Sequence, residues 1–225
     1  MIVAVSSILD EAGIIGETVG YLLDQGVDKL LISDGGSTDG TQEILAKFPE
    51  VELLDQTGPF DQGAEITRLS RMAYEQGAEW VVPFDADEFW WGVGSLRDLP
   101  TTTTRVYATM WQHVDRDYRH LTPKPLPKVA FRPNATCVVE WGNHNVRGVP
   151  GNAMVGLVVK ELQYRDFEHF CQKIEKARRL HASWDIPEQY GSHMRVLFDA
   201  DLEATWNAMQ AVPTTYDPIR GAEWT

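Results

Sequence analysis

Residues 84–91 read FDADEFWW and close the apolar run Trp80–Phe84 with three carboxylates in four positions. Asp85 and Asp87 alternate around Ala86, so extended backbone projects both to one side. Two like charges about 4 Å apart cost on the order of 4 kcal/mol at an effective dielectric near 20, unless a proton or a cation intervenes. A divalent cation removes that repulsion. Magnesium and manganese take oxygen ligands, commonly one or two carboxylates completed by substrate phosphates and water. The plain alternative is a solvated acidic turn; position at the end of an internal strand argues for the cation.

A second loop with chemical potential is SDGGSTDGT, residues 33–41, between the apolar run KLLIS and a helical segment. Gly35, Gly36 and Gly40 permit close backbone approach to a ligand. Asp39 is placed to cap the next helix, with Gln42 three residues on as in a capping box. Asp34 stands at the strand's carboxyl end, where side chains of open α/β sheets point into the ligand crevice. An EF-hand beginning at Asp34 would need Gly and Glu where Asp39 and Leu45 stand. A phosphate loop would need Gly-Lys-Ser/Thr, which is missing, and a dinucleotide fingerprint would need glycines in the first turn, which has only Gly13.

The elements that must position these loops alternate in type. IVAVSSI, KLLIS (29–33), VELL (51–54) and WVVPF (80–84) read as strands; residues 11–25, 41–48 and 63–76 read as helices. Such alternation implies a parallel sheet with right-handed crossovers and all post-strand loops on one edge. Beyond Gly92 the runs RVYATMWQHV, KVAFRP, CVVEW and MVGLVVKEL are strand-like without intervening helices, so the sheet becomes mixed. HLTPKPLPK is an exposed connection, and residues 166–181 and 199–210 read as helices. The division is 1–92 for ligand binding and 93–225 for the rest of one continuous α/β domain.

The 225 residues are 43% hydrophobic, enough for a core. No run approaches the roughly 20 residues of a membrane span and no leader pattern opens the chain, so a soluble, cytoplasmic protein is expected. Cys137 and Cys171 read as reduced thiols. The net charge of −13 is uneven: Lys+Arg against Asp+Glu runs 5 to 19 in residues 1–100, 7 to 3 in 101–150 and 8 to 11 in 151–225. The first part would repel an anion that came without a cation, whereas the middle could meet an anionic partner.

SDGGSTDGT after the second strand with FDADEF after the fourth resembles the family 2 glycosyltransferases of GT-A fold, in a branch whose acidic motif reads DADEF. The resemblance implies a mixed, mainly parallel central sheet flanked by helices. It implies a nucleotide-sugar donor, UDP-linked first, and a divalent metal, Mn or Mg. By it Asp34 holds the base, Asp85 faces ribose and metal, Asp87 ligates the metal on the diphosphate, and Arg68 lies near the nucleotide. Asp10-Glu11 replaces the usual Asn-Glu pair and leaves Glu11 as a ribose or base contact. KVAFRP followed by WGNHNVRG matches a basic strand leading to a Gly/His loop, making His144 a metal-side ligand. Gln163-Tyr164 departs from the relatives' His-Tyr.

The implied chemistry is displacement at the anomeric carbon through an oxocarbenium-like transition state, with inversion. Glu140 and Asp166 are the named candidates for the base, with Asp115 and Asp117 behind them. Glu88 is available to sugar hydroxyls, Trp90 and Trp91 to a sugar face or to the core, and Lys128, Arg132, Arg147 or Arg165 to the diphosphate. The acceptor is a glycan, a lipid phosphate or a modified nucleic acid. The competing readings are a sugar-phosphate nucleotidylyltransferase, whose glycine-rich basic first turn VSSILDEAGI lacks, and a non-catalytic sugar-binding module, which would tend to lose Asp85 or Asp87.

Overall fold

The computed structural model describes residues 1–56, 61–183 and 192–219. β1 (Ile2–Ile8) is buried along nearly its whole length, the condition of a parallel strand covered on both faces. β2 (Lys29–Asp34) and β4 (Trp80–Pro83) flank it in parallel, and β3 (Val51–Asp55) pairs in parallel with β2. The crossovers are α1 (Ile15–Asp24), α2 (Thr41–Leu45) and α3 (Gln62–Glu75). α1 buries Ile15, Thr18, Val19 and Leu22, one stripe of a 3.6-residue period. α3 is capped by Asp61, whose carboxylate accepts from the Ala64 N–H at 3.0 Å.

α1 begins four residues later than the apolar pattern suggests. Asp10 is left-handed (φ 49°), and the N–H groups of Glu11 and Ala12 donate to Thr41 and Asp39 of the next loop. Those bonds hold two loops together, and Ile14 with φ of −144° is outside helical geometry, so the helix starts after it.

β5 (Glu88–Trp91) is a strand that the sequence pattern did not reveal. It pairs antiparallel with β11 (Asn152–Glu161) at the far edge of an eight-stranded sheet. β8 (Lys128–Phe131) and β6 (Thr103–Gln112) stand between β4 and β11, giving the order β3-β2-β1-β4-β8-β6-β11-β5. A flat sheet would separate β4 from β5 by about 19 Å at ~4.8 Å per strand. Only residues 84–87 join them, and these fold into a turn in which the Glu88 N–H donates to the Asp85 carbonyl at 3.0 Å. The sheet is therefore curled, and its curl brings the acidic turn over the carboxyl edge of the parallel strands.

A small hairpin, β9 (Val138–Glu140) with β10 (Asn145–Arg147), packs on α3 and belongs to the main core with Ile66, Leu69 and Phe131. All of this lies in one compact unit, residues 1–111 with 123–161. The division drawn at residue 92 falls just after β5.

The second unit comprises residues 112–122 and 162 onward. It contains β7 (Tyr118–His120) paired with β12 (Thr214–Tyr216), and the helices α4 (Phe167–Ser183), α5 (Ser192–Arg195) and α6 (Leu202–Gln210). Its core is Tyr164, Phe170, Ile174 and Met194, with Trp206 stacked obliquely on Phe170. Among the described residues no helix is long and apolar enough to cross a membrane.

Candidate functional site

Three post-strand loops meet at the carboxyl edge of the parallel strands. The first two are tied by four hydrogen bonds: Asp10 N–H to Ser37 Oγ, Thr38 N–H to Asp10 Oδ1, Glu11 N–H to Thr41 Oγ1 and Ala12 N–H to Asp39 Oδ2, all within 2.9 Å. Asp10 suits its left-handed position, which Asn and Asp tolerate best, and this accounts for the Asp-for-Asn exchange. Asp34 is 4% exposed. Its carboxylate accepts from the Ser37 N–H at 3.0 Å, from the Ser37 hydroxyl and from the Gln42 amide. Gln42 thus serves Asp34 and not a capping box. The N-cap of α2 is Gly40 in left-handed geometry, while Asp39 binds the Thr41 N–H and hydroxyl. Burial would raise the Asp39 carboxyl, but these bonds hold it below the ordinary carboxylate range.

The acidic turn is built around a buried lysine. Val81 pairs antiparallel with Phe131, so three residues further along Lys128 comes level with Phe84. Lys128 is 1% exposed, and its Nζ lies 2.8 Å from Asp85 Oδ2 and 2.7 Å from Glu88 Oε1. It also donates to Asn143 Oδ1. Asp85 Oδ1 accepts from the amides of Gln62 (2.8 Å) and Asn143 (3.1 Å), and the Asp85 N–H donates to Glu88 Oε2 at 3.1 Å. Thr18 Oγ1 anchors the turn by donating to the Ala86 carbonyl at 2.5 Å. Burial would raise Asp85, but the Lys128 charge brings its carboxyl below the usual range. Glu88 goes the other way: burial, with Asp85 and Glu161 adding to it, lifts it well above that range against the pull of Lys128. Burial opposes the charge on Lys128 too, yet Asp85 and Glu88 raise its pKa.

Two readings are corrected here. Glu88 is fully buried and spends its carboxylate on Lys128 and the Asp85 amide, leaving it out of reach of a sugar hydroxyl. Lys128 is an internal counter-ion of the turn and does not face a diphosphate. A lysine opening an otherwise apolar strand was the available signal, because a buried lysine demands an acid partner.

Asp87 is also buried, and Glu161, raised by burial and by the Asp87 charge, pairs with Lys124 at 2.7 Å. Among the described residues no three His, Cys, Asp or Glu side chains converge as a metal cluster. A cation that arrives on a diphosphate does not need one, since magnesium-type ions take one or two carboxylates and complete their shell from phosphate and water. The hard carboxylate oxygens of Asp85 and Asp87 are of the kind such an ion takes, and Asp85 is also bound to Lys128. His144 Nδ1–H donates to the Pro127 carbonyl at 2.8 Å, which makes Nε2 the acceptor nitrogen, the arrangement found behind histidine ligands. Burial and the Lys128 charge lower its pKa and keep the imidazole neutral.

The remaining candidates divide. The Arg68 guanidinium holds Glu65 at 2.5 and 2.9 Å. Burial would raise Glu65, but Arg68 and the Ser33 hydroxyl keep it low. Glu11 stands in the loop beside Asp39 and Thr41. Glu140 accepts from Arg147 Nε (2.9 Å) and Asn145 Nδ2 (3.1 Å) across its hairpin. Asp166 belongs to the second unit, where its carboxylate accepts from the His169 N–H at 2.7 Å in the first turn of α4. Asp115 closes a local turn onto the N–H groups of Asp117 and Tyr118. Arg132 lies over the Trp80 ring and donates to two carbonyls. Arg165 is in the second unit. Strand alternation separates the tryptophans: Trp90 is core and Trp91 is 56% exposed.

Among solved structures, Staphylococcus aureus TarS, residues 1–349 in complex with UDP, shares the fold at a TM-score of 0.52 and 12% identity, over 88% of this chain and 70% of that one. A mycobacterial protein aligns over 97% of this chain and 84% of its own at 14% identity and a TM-score of 0.46. A nucleotidyl transferase from Methanothermobacter thermautotroptrophicus covers 58% of this chain and 70% of its own at 16% identity and 0.34. The fold is GT-A. Residues 4–91 match Glycosyl transferase family 2, so the protein is family 2-like across the region that carries Asp34, Asp85 and Asp87. No curated protein matches the sequence significantly.

Proposed function

We propose that the protein is a metal-dependent, inverting glycosyltransferase that takes a sugar from a nucleotide-diphosphate donor, UDP-linked first, in the cytoplasm. The observation that carries the reading is the pinned acidic turn beside the Asp34 loop, inside the residues that match the family. Asp34 and Glu11 receive base and ribose, Asp85 meets the ribose with an orientation fixed by Lys128, Gln62 and Asn143, and Arg68 lies along the nucleotide side. Asp87, with His144 Nε2 behind it, would hold the cation; when bound, that ion offsets the charge growing on the leaving diphosphate.

The acceptor hydroxyl forms its bond to the anomeric carbon while the bond to the diphosphate oxygen breaks, and the diphosphate leaves with the electron pair. The hydroxyl proton passes to a carboxylate. Glu140, on the same hairpin as His144, is the first choice; Asp166, the other candidate, lies in the second unit. The basic segment 101–150 suits an anionic acceptor, whether a glycan, a lipid phosphate or a modified nucleic acid.

Titration with UDP-, GDP- and dTDP-sugars, with and without Mn, tests the reading. Metal-dependent release of a nucleoside diphosphate should be lost in Asp87→Ala. Absence of binding to every donor sinks the enzyme; binding without turnover leaves a non-catalytic module of the same fold, and release of pyrophosphate from a nucleoside triphosphate with a sugar phosphate would mark a nucleotidylyltransferase.

A further inference from the structure

Trp141 sits where turn chemistry asks for another residue. The β9–β10 hairpin turns through Trp141 and Gly142 with φ of 55° and 79° in succession. Residues 141–144 form the loop between the paired Glu140 and Asn145, and its first two positions are left-handed, a conformation that favours Gly, Asn or Asp. A bulky L side chain there crowds its own backbone. Burial gives no compensation, because Trp141 is 69% exposed.

The turn is nonetheless held firmly. Gln62 Oε1 lies 3.3 Å from where a Cβ on Gly142 would stand, and the same side chain's amide binds Asp85. Asn143 is buried and bonds both Asp85 and Lys128. His144 is fixed on Pro127, and Glu140 on Asn145 and Arg147. Strain of this kind persists where the surroundings over-determine it, typically at a site of function. The outcome is an exposed indole presented by a rigid turn two residues from the side chain that grips the acidic motif.

We infer that Trp141 is a stacking platform for the face of a pyranose ring at the rim of the acidic turn. The indole face is the negative end of the ring quadrupole and attracts the polarised C–H bonds of a sugar's apolar face. That ring belongs to the donor's hexosyl group or to an acceptor glycoside, since both offer the same face. The ligand class rests on the proposed function.

The test uses Trp141→Gly, which removes the ring and relieves the left-handed strain, and Trp141→Phe, which keeps a smaller ring. Thermal unfolding of Trp141→Gly should match or exceed wild type. In the donor arm, calorimetric titration with UDP, UDP-glucose and UDP-N-acetylglucosamine should show the sugars' advantage over UDP falling about tenfold, the size of one aromatic contact, with UDP itself unchanged. In the acceptor arm, methyl glucoside and methyl N-acetylglucosaminide titrated in the presence of UDP should lose affinity by a similar factor. Either arm supports the platform, with Trp141→Phe intermediate.

Unaltered sugar binding in both arms overturns it, as does a marked fall in melting temperature with sugar binding retained. Equal loss for UDP and UDP-sugars also overturns it, by putting a base on the ring. Should wild type bind no nucleotide but bind methyl glycosides in a Trp141-dependent way, the functional reading falls and the platform stands.

Discussion

Lys128→Met replaces a buried ammonium with an apolar side chain of similar length. Nζ sits 2.8 Å from Asp85 and 2.7 Å from Glu88. Each contact is about 6 kcal/mol of gross Coulomb attraction at an effective dielectric near 20, most of it cancelled by desolvation. What the substitution exposes is the cost of the buried Glu88 carboxylate, with the partly exposed Asp85 beside it, left without their cation, about 3–5 kcal/mol with Glu88 as the main term. In a chain of 225 residues that corresponds to a fall of about 10 °C in Tm. Burial already raises the Glu88 carboxyl, and losing Lys128 raises it further. An acid whose folded pKa lies above its unfolded one stabilises the fold below the unfolded value and loses that contribution as pH climbs through the folded value. The deficit should therefore be largest at about pH 8 and shrink toward about pH 5. Thermal melts followed by circular dichroism across that range measure it, with Lys128→Met/Glu88→Gln alongside to remove one stranded charge and recover part of the loss. A deficit below about 1 kcal/mol, the size of a surface ion pair, would refute the reasoning. So would a pH-independent deficit or a double variant no more stable than the single one.

Other expectations bear on the same unit. Gly148→Ala places a Cβ 2.6 Å from the Thr136 carbonyl oxygen at φ 78°, so its cost should exceed the ~1–2 kcal/mol of a left-handed alanine, read from urea midpoints. Asp61→Ala removes the cap on Ala64 at the start of α3 and should cost about 1 kcal/mol, with Asp61→Asn largely neutral. Because Gln62 follows the cap and bonds Asp85, nucleotide affinity should drop with stability in Asp61→Ala.

Much of the parallel half was legible because each strand there is covered on both faces and must be uniformly apolar. β1, β2, β3 and β4 fall within a residue of the runs that announce them. Helix starts were less legible: ahead of α1 the Glu11 and Ala12 amides bind Thr41 and Asp39, and hydrophobic periodicity carries no record of a hydrogen bond made about 30 residues away. β5 escaped for a related reason. EFWW satisfies its backbone through β11, some 70 residues later, and only the curl of the sheet makes that pairing possible.

The site divides along the same line. Residue type and position sufficed to place Asp34, Asp85 and Asp87 at the carboxyl edge of the parallel strands, where open α/β sheets receive ligands. They did not suffice for Lys128 or Asn143, whose roles depend on an antiparallel register and on a hairpin turn. The like-charge repulsion noted in FDADEF has one answer inside the fold. Asp85 is relieved by an internal ammonium, whatever cation is bound, whereas Asp87 lies buried near Glu161, whose carboxyl its charge raises. An acidic motif whose first carboxylate is permanently countered is preorganised before any donor arrives. On the proposed function, Asp87→Ala should then cost chemistry and Lys128→Met stability, a division that activity and thermal melts of the two variants separate.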